Sequence, residues 1–240
     1  MIFNVNQNRF KTNFYLSANF HTNEQELFMT ALKILKLDPG HAFSRDGRAM
    51  SADNRPNDYI SVLDQYEFEH VDMSSYNVLL ITDFIDQEYL YAQRDKIACF
   101  LNAGNIVISC AHIFRPWLPG VNLFMPKEIR SYKDYSVITE ASSAIFGGVK
   151  QEELTVRKGV AGFFARGYHP VHRDDVEVHI RFTDGTPITY VDRTTTNGTI
   201  FVHTSRDIFT YKTGDNTSQL VAPRMYEWLK QELVMKGDAS

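Results

Sequence analysis

The sequence contains little cysteine, and its two cysteines, Cys99 and Cys110, are too few for a disulfide-stabilised scaffold. No apolar run approaches the ~20 residues that cross a bilayer, and the first residues lack the basic and apolar regions of a signal peptide. The net charge of −4 and the absence of a lysine and arginine cluster argue against nucleic-acid binding. We therefore expect a cytoplasmic protein with neither nucleic acid nor membrane among its partners.

Motifs for common cofactors are missing as well. Neither Gly-x-Gly-x-x-Gly nor a phosphate-binding P-loop occurs. His169, His172 and His179 match no compact zinc-binding spacing, and the alternation of residues 176–182 predicts that His179 faces solvent. The sequence therefore predicts no metal and no cofactor. Cys99 falls on a predicted helix that covers the sheet, where filling the core is its expected role.

The composition is that of a folded protein. A hydrophobic content of 43% and an aromatic content of 13% fit a globular chain, and 240 residues suffice for one large domain. No internal repeat or low-complexity segment marks a boundary, so we expect a single domain over residues 1–240. In the N-terminal part the pattern predicts a strand over 12–20 and then a helix that starts at a capping-box-like Asn23 and Glu26 and runs to about Leu37. A candidate lid loop over 40–58 and a strand within Tyr59–Phe68 follow.

A strand–helix–strand unit is the clearest pattern in the chain. The apolar run Asn77–Ile81 is typical of a buried parallel strand, and Asp86 is placed to cap a helix that extends to Ala103. Gly104 fits the left-handed position after a helix end, and the next strand, Ile106–Ser109, follows at once. This short connection is typical of a doubly wound α/β sheet. Cys110 then falls where that strand is expected to turn.

The C-terminal half predicts an antiparallel extension of the sheet. Asp184-Gly185 and Asn197-Gly198 are hairpin signals between alternating apolar segments. The strands are expected at Ser136–Thr139, Val176–Phe182, Pro187–Val191 and Thr199–His203, and an amphipathic helix from about 221 to 233 closes the chain. The prolines after Cys110 allow only a short helix there.

Three sets of segments resemble class I glutamine amidotransferase-like domains. They are Ser-Ser-Tyr-Asn-Val-Leu-Leu-Ile-Thr-Asp (74–83), Leu-Asn-Ala-Gly-Asn-Ile-Val-Ile-Ser-Cys-Ala (101–111), and the return segments at 143–149, 183–188 and 197–204. The likeness covers about residues 70–235 and extends to the trehalose-utilisation-type branch of the superfamily. It implies a three-layer, flavodoxin-like α/β fold, with a mostly parallel central sheet and helices on both faces.

The resemblance also implies a catalytic site, but a divergent one. Cys110 matches the position of the family's nucleophile, whereas the glycines that usually lie two residues before and after it are Ile108 and His112. The family's His-Pro-Glu signature corresponds by position to the segment around His203, where the histidine is retained and Asp207 is the nearest carboxylate. Tyr168-His169-Pro170 resembles that signature more closely, but it comes too early in the chain.

Several readings of this site stay open. In one hypothesis Cys110 is a thiol nucleophile, His203 is its base and Asp207 orients the histidine; His112 is an alternative base. In the other, Cys110 is a small buried hydrophobic residue. Asp83 and His112 follow parallel strands at the edge where ligands gather, and we expect them to bind a ligand. The leading hypothesis is an amidotransferase-like protein with degenerate glutaminase motifs that binds a small polar ligand or a protein partner. The alternatives are an active cysteine-dependent amidase or hydrolase, and a non-catalytic subunit of a larger complex; the oligomeric state stays open.

Overall fold

The computed structural model describes residues 31–40, 59–157, 159–162, 164–212 and 215–237. The chain separates into two compact units, Leu32–Leu229 and a second one that combines Met1–Ala31 with Lys230–Ser240. The first unit contains the sheet, the candidate site residues and the closing helix as far as Leu229. The predicted strand at 12–20 and nearly all of the candidate lid loop lie outside the described residues.

The described chain has twelve strands and four α-helices, joined by loops and short 3-10 helices. The helices are α1 Gln87–Ala92, α2 Arg94–Asn102, α3 Gln151–Thr155 and α4 Val221–Gly237. The strands are β1 Ile34–Asp38, β2 Ile60–Asp64, β3 Val78–Thr82, β4 Ile106–Cys110, β5 Met125–Pro126, β6 Val137–Thr139, β7 Val156–Arg157, β8 Val160–Ala161, β9 Gly167–Tyr168, β10 Glu177–Phe182, β11 Pro187–Asp192 and β12 Thr199–His203.

Eight strands form one mixed sheet in the order β2-β1-β3-β4-β12-β11-β10-β6. The five strands from β2 to β12 in this order pair in parallel, and β12, β11, β10 and β6 pair antiparallel. β3, β4 and β12 are buried along their whole length, as parallel strands covered on both faces must be. The mixed α/β class and the antiparallel C-terminal extension are therefore confirmed.

The core explains why these segments take these structures. Leu79, Val107 and Val202 alternate to one sheet face, where they pack with Leu90 and Ile97 of α1 and α2. The residues between them point to the other face, and there Phe201 contacts Trp228 of α4, with ring centroids 5.5 Å apart.

Asp86 caps α1 as predicted, because its side chain accepts hydrogen bonds from the backbone N–H groups of Glu88 and Tyr89 at 3.0 Å each. Gly104 takes the predicted left-handed conformation, with φ of 89°. The single helix predicted up to Ala103 is interrupted at Gln93, which separates α1 from α2. Within the described residues, no helix is both long enough and apolar enough to cross a membrane.

The predicted helix up to Leu37 is wrong at its C-terminal end. Residues Ile34–Asp38 form β1, which pairs in parallel with β2 on one side and β3 on the other. A strand between two others buries both faces, so its sequence is a nearly continuous apolar run that also fits a helical stripe. The strand predicted within Tyr59–Phe68 exists but ends at Asp64, where a 3-10 helix begins.

Two single-residue predictions are also wrong. His179 is completely buried rather than exposed, because the pairing of β10 with β11 shifts register between Val178 and Ile180 and interrupts the alternation. Its ring Nδ1 lies 2.7 Å from the hydroxyl of Ser143. Cys99 does not fill the core, since it lies on the exposed side of α2. The sheet-facing positions of that helix are taken by Ile97, Phe100 and Leu101.

Candidate ligand-binding cleft

The parallel strands bring the predicted site residues to one edge of the sheet. Cys110, the last residue of β4, is the Cα partner of Thr82 in β3 and of His203 in β12. Paired residues of neighbouring strands point to the same sheet face, so the thiol and the imidazole share the face that α4 covers. The segments that follow these three strands form the carboxyl edge of the sheet.

The backbone around Cys110 differs from the turn and the short helix that the sequence predicts after this strand. Cys110 is the end of a regular strand, and the described residues 111–131 form loops and the short strand β5 without any helix. Gln87 holds the first part of this segment: its side-chain amide donates to the carbonyl of His112 at 2.8 Å and accepts from the backbone N–H of Phe114 at 3.1 Å and from Trp117 Nε1 at 2.9 Å. The described residues directly after Cys110 therefore provide no helix N-terminus to lower the pKa of its thiol.

The surroundings of the Cys110 sulfur favour the neutral thiol. The residue is completely buried, and this burial, together with the nearby carboxylate of Asp207, raises the pKa of the thiol well above its usual value. The backbone N–H of Ile208 and the ammonium of Lys36 act in the opposite direction, but with smaller effects. The group is therefore protonated at neutral pH and shielded from solvent.

His203 is buried and neutral, but it is not bonded to the thiol. Its Nδ1 lies 2.8 Å from the hydroxyl of Thr189, and its Nε2 has no hydrogen-bond partner in the described part of the chain. The ring packs against Phe164, with 4.8 Å between ring centroids. Loss of hydration lowers the pKa of the imidazole to about 3, and the neighbouring His112 adds to this shift.

The Asp207 carboxylate contacts structural groups instead of the His203 imidazole. Its carboxylate lies 2.9 Å from Lys36 Nζ in an ion pair whose side chains are 13% and 10% exposed. The same carboxylate accepts a 2.9 Å hydrogen bond from the backbone N–H of Phe209 and so caps a short 3-10 helix, Ile208–Thr210. The three residues predicted as a catalytic set therefore share one region, but none of these contacts links them in the order thiol, imidazole, carboxylate.

A cavity of about 540 Å³ opens beyond the carboxyl edge, and both residues predicted to bind a ligand line it. Asp83 follows β3 and His112 follows β4, and the segment after β12 adds Ser205 and Arg206. Cys110 and His203 are completely buried and do not line this cavity. We call this cavity, with Asp83, Phe84, Gln87, His112, Phe114, Arg166 and Arg206 in its walls, the cleft.

His112 is held in one orientation by three contacts. Its Nε2 lies 3.0 Å from the carbonyl of Thr204, and because a carbonyl only accepts, we assign the ring proton to Nε2. The ring stacks on Phe124 with centroids 3.9 Å apart and meets Phe114 edge-on. Burial lowers the pKa of His112, although the Thr204 bond and Asp83 oppose the shift. The neutral ring therefore offers Nδ1 as an acceptor.

The sequence did not predict five side chains of the cleft, and it argued against a sixth residue, His169, next to it. The five are Phe84, Gln87, Phe114, Arg166 and Arg206. Arg206 and Phe84 lie only three residues after His203 and one after Asp83, so adjacency to the predicted residues was an available signal. Phe114 and Arg166 come from loops without any sequence signature. His169, which sequence order argued against, is buried, and its two ring nitrogens lie 2.8 Å and 3.2 Å from the carbonyls of Asn122 and Ala111.

No family model matches the chain, and no curated protein matches it. Among solved structures, an exo-beta-1,4-mannosidase from Opitutaceae bacterium strain TAV5 is 10% identical with a TM-score of 0.42, over 92% of this chain and 37% of that one. A catalytic mutant of a GH42 beta-galactosidase from G. stearothermophilus is 10% identical with a TM-score of 0.35, over 83% of this chain and 30% of that one. The chain thus spans about a third of the length of either enzyme.

Proposed function

We propose that the protein is a class I glutamine amidotransferase-like domain of flavodoxin-like architecture that has lost the standard glutaminase apparatus and binds a small polar ligand in the cleft. The observation that carries the proposal is the cavity of about 540 Å³ at the carboxyl edge of the parallel strands. In open α/β sheets ligands bind at this edge, and a cavity of this size falls within the ~300–1,000 Å³ range of small-molecule sites.

The side chains of the cleft support a polar ligand. Asp83, Gln87 and His112 bring a carboxylate, an amide and a neutral imidazole to one cavity, beside the guanidinium groups of Arg166 and Arg206. A few polar groups within a partly apolar wall are the usual means of orienting a small ligand. Since the cavity is concave, a small molecule fits it better than the flat surface of a protein partner does.

A cysteine-dependent amidase or hydrolase is the second candidate. The pairing of Cys110 with His203 across β4 and β12 favours it, since it places a thiol and an imidazole side by side on one sheet face. A nucleophile needs access to substrate and a share of thiolate at working pH, whereas this thiol is buried and has a raised pKa. We therefore rank ligand binding without thiol chemistry first.

Ligand binding is tested by recording amide NMR spectra of the labelled protein with a panel of amino acids, hydroxy acids, sugars and their phosphates at millimolar concentration. At least one compound is expected to shift the amides of Asp83, His112 and Arg206 without shifting those around Lys150 and Asp215, which line a separate cavity.

His112→Ala removes the Nδ1 acceptor and is expected to weaken that compound about tenfold, the effect of one hydrogen bond of ~1.4 kcal/mol. His70→Ala, at an exposed histidine outside the cleft, is the matched control and is expected to leave binding unchanged. If these compounds and the aryl carboxylates and phosphates tested below all leave the cleft amides unshifted, the proposal is refuted.

A further inference from the structure

Two exposed aromatic rings lie in the wall of the cleft. The side chains of Phe84 and Phe114 are 63% and 58% exposed, respectively, although large apolar side chains normally gain from burial. The Phe114 ring is supported from behind, because it meets His112 and Phe124 edge-on, with centroids 6.3 Å and 5.7 Å apart. Such rings provide a surface on which a planar or apolar group can stack.

The backbone at Phe84 adds an independent observation. Its φ is 67°, in the left-handed region, and among the described residues it is the one non-glycine residue with a positive φ. A bulky residue at such an angle is strained, and strain of this kind collects at binding and catalytic sites. Glycine would relieve the strain but remove the ring. The chain therefore holds an aromatic side chain at the mouth of the cleft at a cost in backbone energy.

Among the described residues that line the same cavity, positively charged side chains outnumber carboxylates. Arg166 and Arg206 face it together with one carboxylate, Asp83, while His112 is neutral. The guanidinium of Arg166 is oriented by a 3.2 Å hydrogen bond from its Nε to the carbonyl of Gly162. Planar guanidinium groups bind carboxylates and phosphates through paired hydrogen bonds. The cleft thus combines anion-binding groups with aromatic surface.

We propose that the ligand of the cleft is an aromatic or heteroaromatic ring that carries a carboxylate or a phosphate. The anionic group binds Arg166 and Arg206, and the ring stacks against Phe84 and Phe114. This inference rests on the proposed function, because it names the chemical class of a ligand for the same cleft. It excludes sugars and aliphatic acids as the preferred class.

Five probes separate the two halves of this ligand. Benzoate and phenyl phosphate carry ring and charge, acetate and inorganic phosphate carry the charge alone, and benzamide carries the ring alone. Dissociation constants are measured by NMR titration of the cleft amides. At least one of the two aryl anions is expected to bind about tenfold tighter than both its ring-free counterpart and benzamide, and the better of the two identifies the anionic group.

Variants then assign each half to its side chains. Arg166→Met and Arg206→Met are expected to weaken the aryl anion about five- to tenfold and to leave benzamide unchanged. Arg130→Met is the control, at an exposed arginine that pairs with Glu128 outside the cleft.

Phe84→Gly is expected to weaken benzamide and the aryl anion alike while raising the melting temperature, since it relieves the strained φ. Tyr132→Leu, at a ring 67% exposed elsewhere, is expected to leave both affinities unchanged.

The failure of this inference is distinguishable from that of ligand binding itself. If an aliphatic or neutral compound of the polar panel shifts the cleft amides and binds as tightly as the aryl anions, the cleft binds a ligand but the proposed class is wrong. Equal affinity of benzoate and acetate, or of phenyl phosphate and inorganic phosphate, removes the role of the rings. If neither the polar panel nor the probes shift the cleft amides, both proposals fall together.

Discussion

Thiol alkylation compares two cysteines of one chain that the structure places in opposite environments. Cys99 lies exposed on α2, whereas Cys110 is completely buried at the end of β4. Treatment of the native protein with iodoacetamide at neutral pH is expected to modify Cys99 quickly and Cys110 very slowly. The exposed cysteine serves as an internal standard for the reagent, and a Cys99→Ser variant isolates the slow reaction.

The expected ratio of the two alkylation rates depends on the free energy of the opening that exposes the Cys110 sulfur. The segment after β12 has to move, which exposes the buried side chains of Ile208 and Phe209 and breaks the ion pair between Lys36 and Asp207. Burial of one such apolar side chain is worth ~1.5–3 kcal/mol, and a hydrogen bond between charged groups ~1.5–3 kcal/mol. After allowing for the chain entropy that the segment gains, a net opening cost of ~4 kcal/mol gives Cys110 a rate ~1,000-fold below that of Cys99.

Peptide mass spectrometry at timed intervals measures both rates. The raised pKa of the Cys110 thiol lowers its reactivity further, so the ratio is expected to stay large up to about pH 8 and to collapse only when urea unfolds the protein. Modification of Cys110 within a factor of ten of Cys99 at neutral pH would refute the reasoning. It would instead support the cysteine-dependent hydrolase.

Two further predictions concern pH and close packing. The folded-state pKa of His203, about 3, lies below the usual 6.5, so its contribution to stability is present above about pH 6.5 and is lost as pH falls. Between pH 7 and 5 this one histidine is expected to account for a loss of about 2 kcal/mol in the free energy of unfolding, in addition to the losses from His112 and His169, whose pKa values burial also lowers. Urea unfolding of His203→Gln is therefore expected to show a loss smaller by about 2 kcal/mol, and an equal loss in the variant would contradict this cause. A Cβ at Gly198 would lie 2.3 Å from the Asn105 carbonyl oxygen and 2.5 Å from that of Leu101. Gly198→Ala is therefore expected to lower the free energy of unfolding by ~3 kcal/mol, against ~1 kcal/mol for Gly104→Ala, where a positive φ is the only penalty. Calorimetry that shows the reverse order of the two variants would contradict this explanation.

Local sequence signals predicted most strands of the central sheet. The apolar runs of β3 and β4, the Asp86 cap and the turn at Asp184-Gly185 were all predictable, because each depends on residues within a few positions of one another. The prediction at Gly198 was correct only in part. Its hairpin was predicted from the Asn-Gly pair, but the reason for glycine is the close approach of the backbone of Leu101 and Asn105.

The errors came where one pattern fits two structures. A strand buried on both faces has no alternation, so β1 had the periodicity of a helix until its neighbours β2 and β3 were known. His179 had a clear alternation, but a register shift against β11 turned it inward. In both cases pairing with a distant strand, which no local window contains, decided the outcome.

The sequence by itself determined which strands end at the carboxyl edge of the sheet, and therefore that Asp83, Cys110 and His203 arrive there, because burial periodicity and turn chemistry are local. Only the tertiary structure decided what surrounds them. The ion pair of Asp207 joins it to Lys36, 171 residues away in sequence, and Arg166 reaches the cleft from a loop with no periodicity. Contacts of this kind depend on the paths of irregular segments, which are fixed by packing across the whole domain rather than by neighbouring residues.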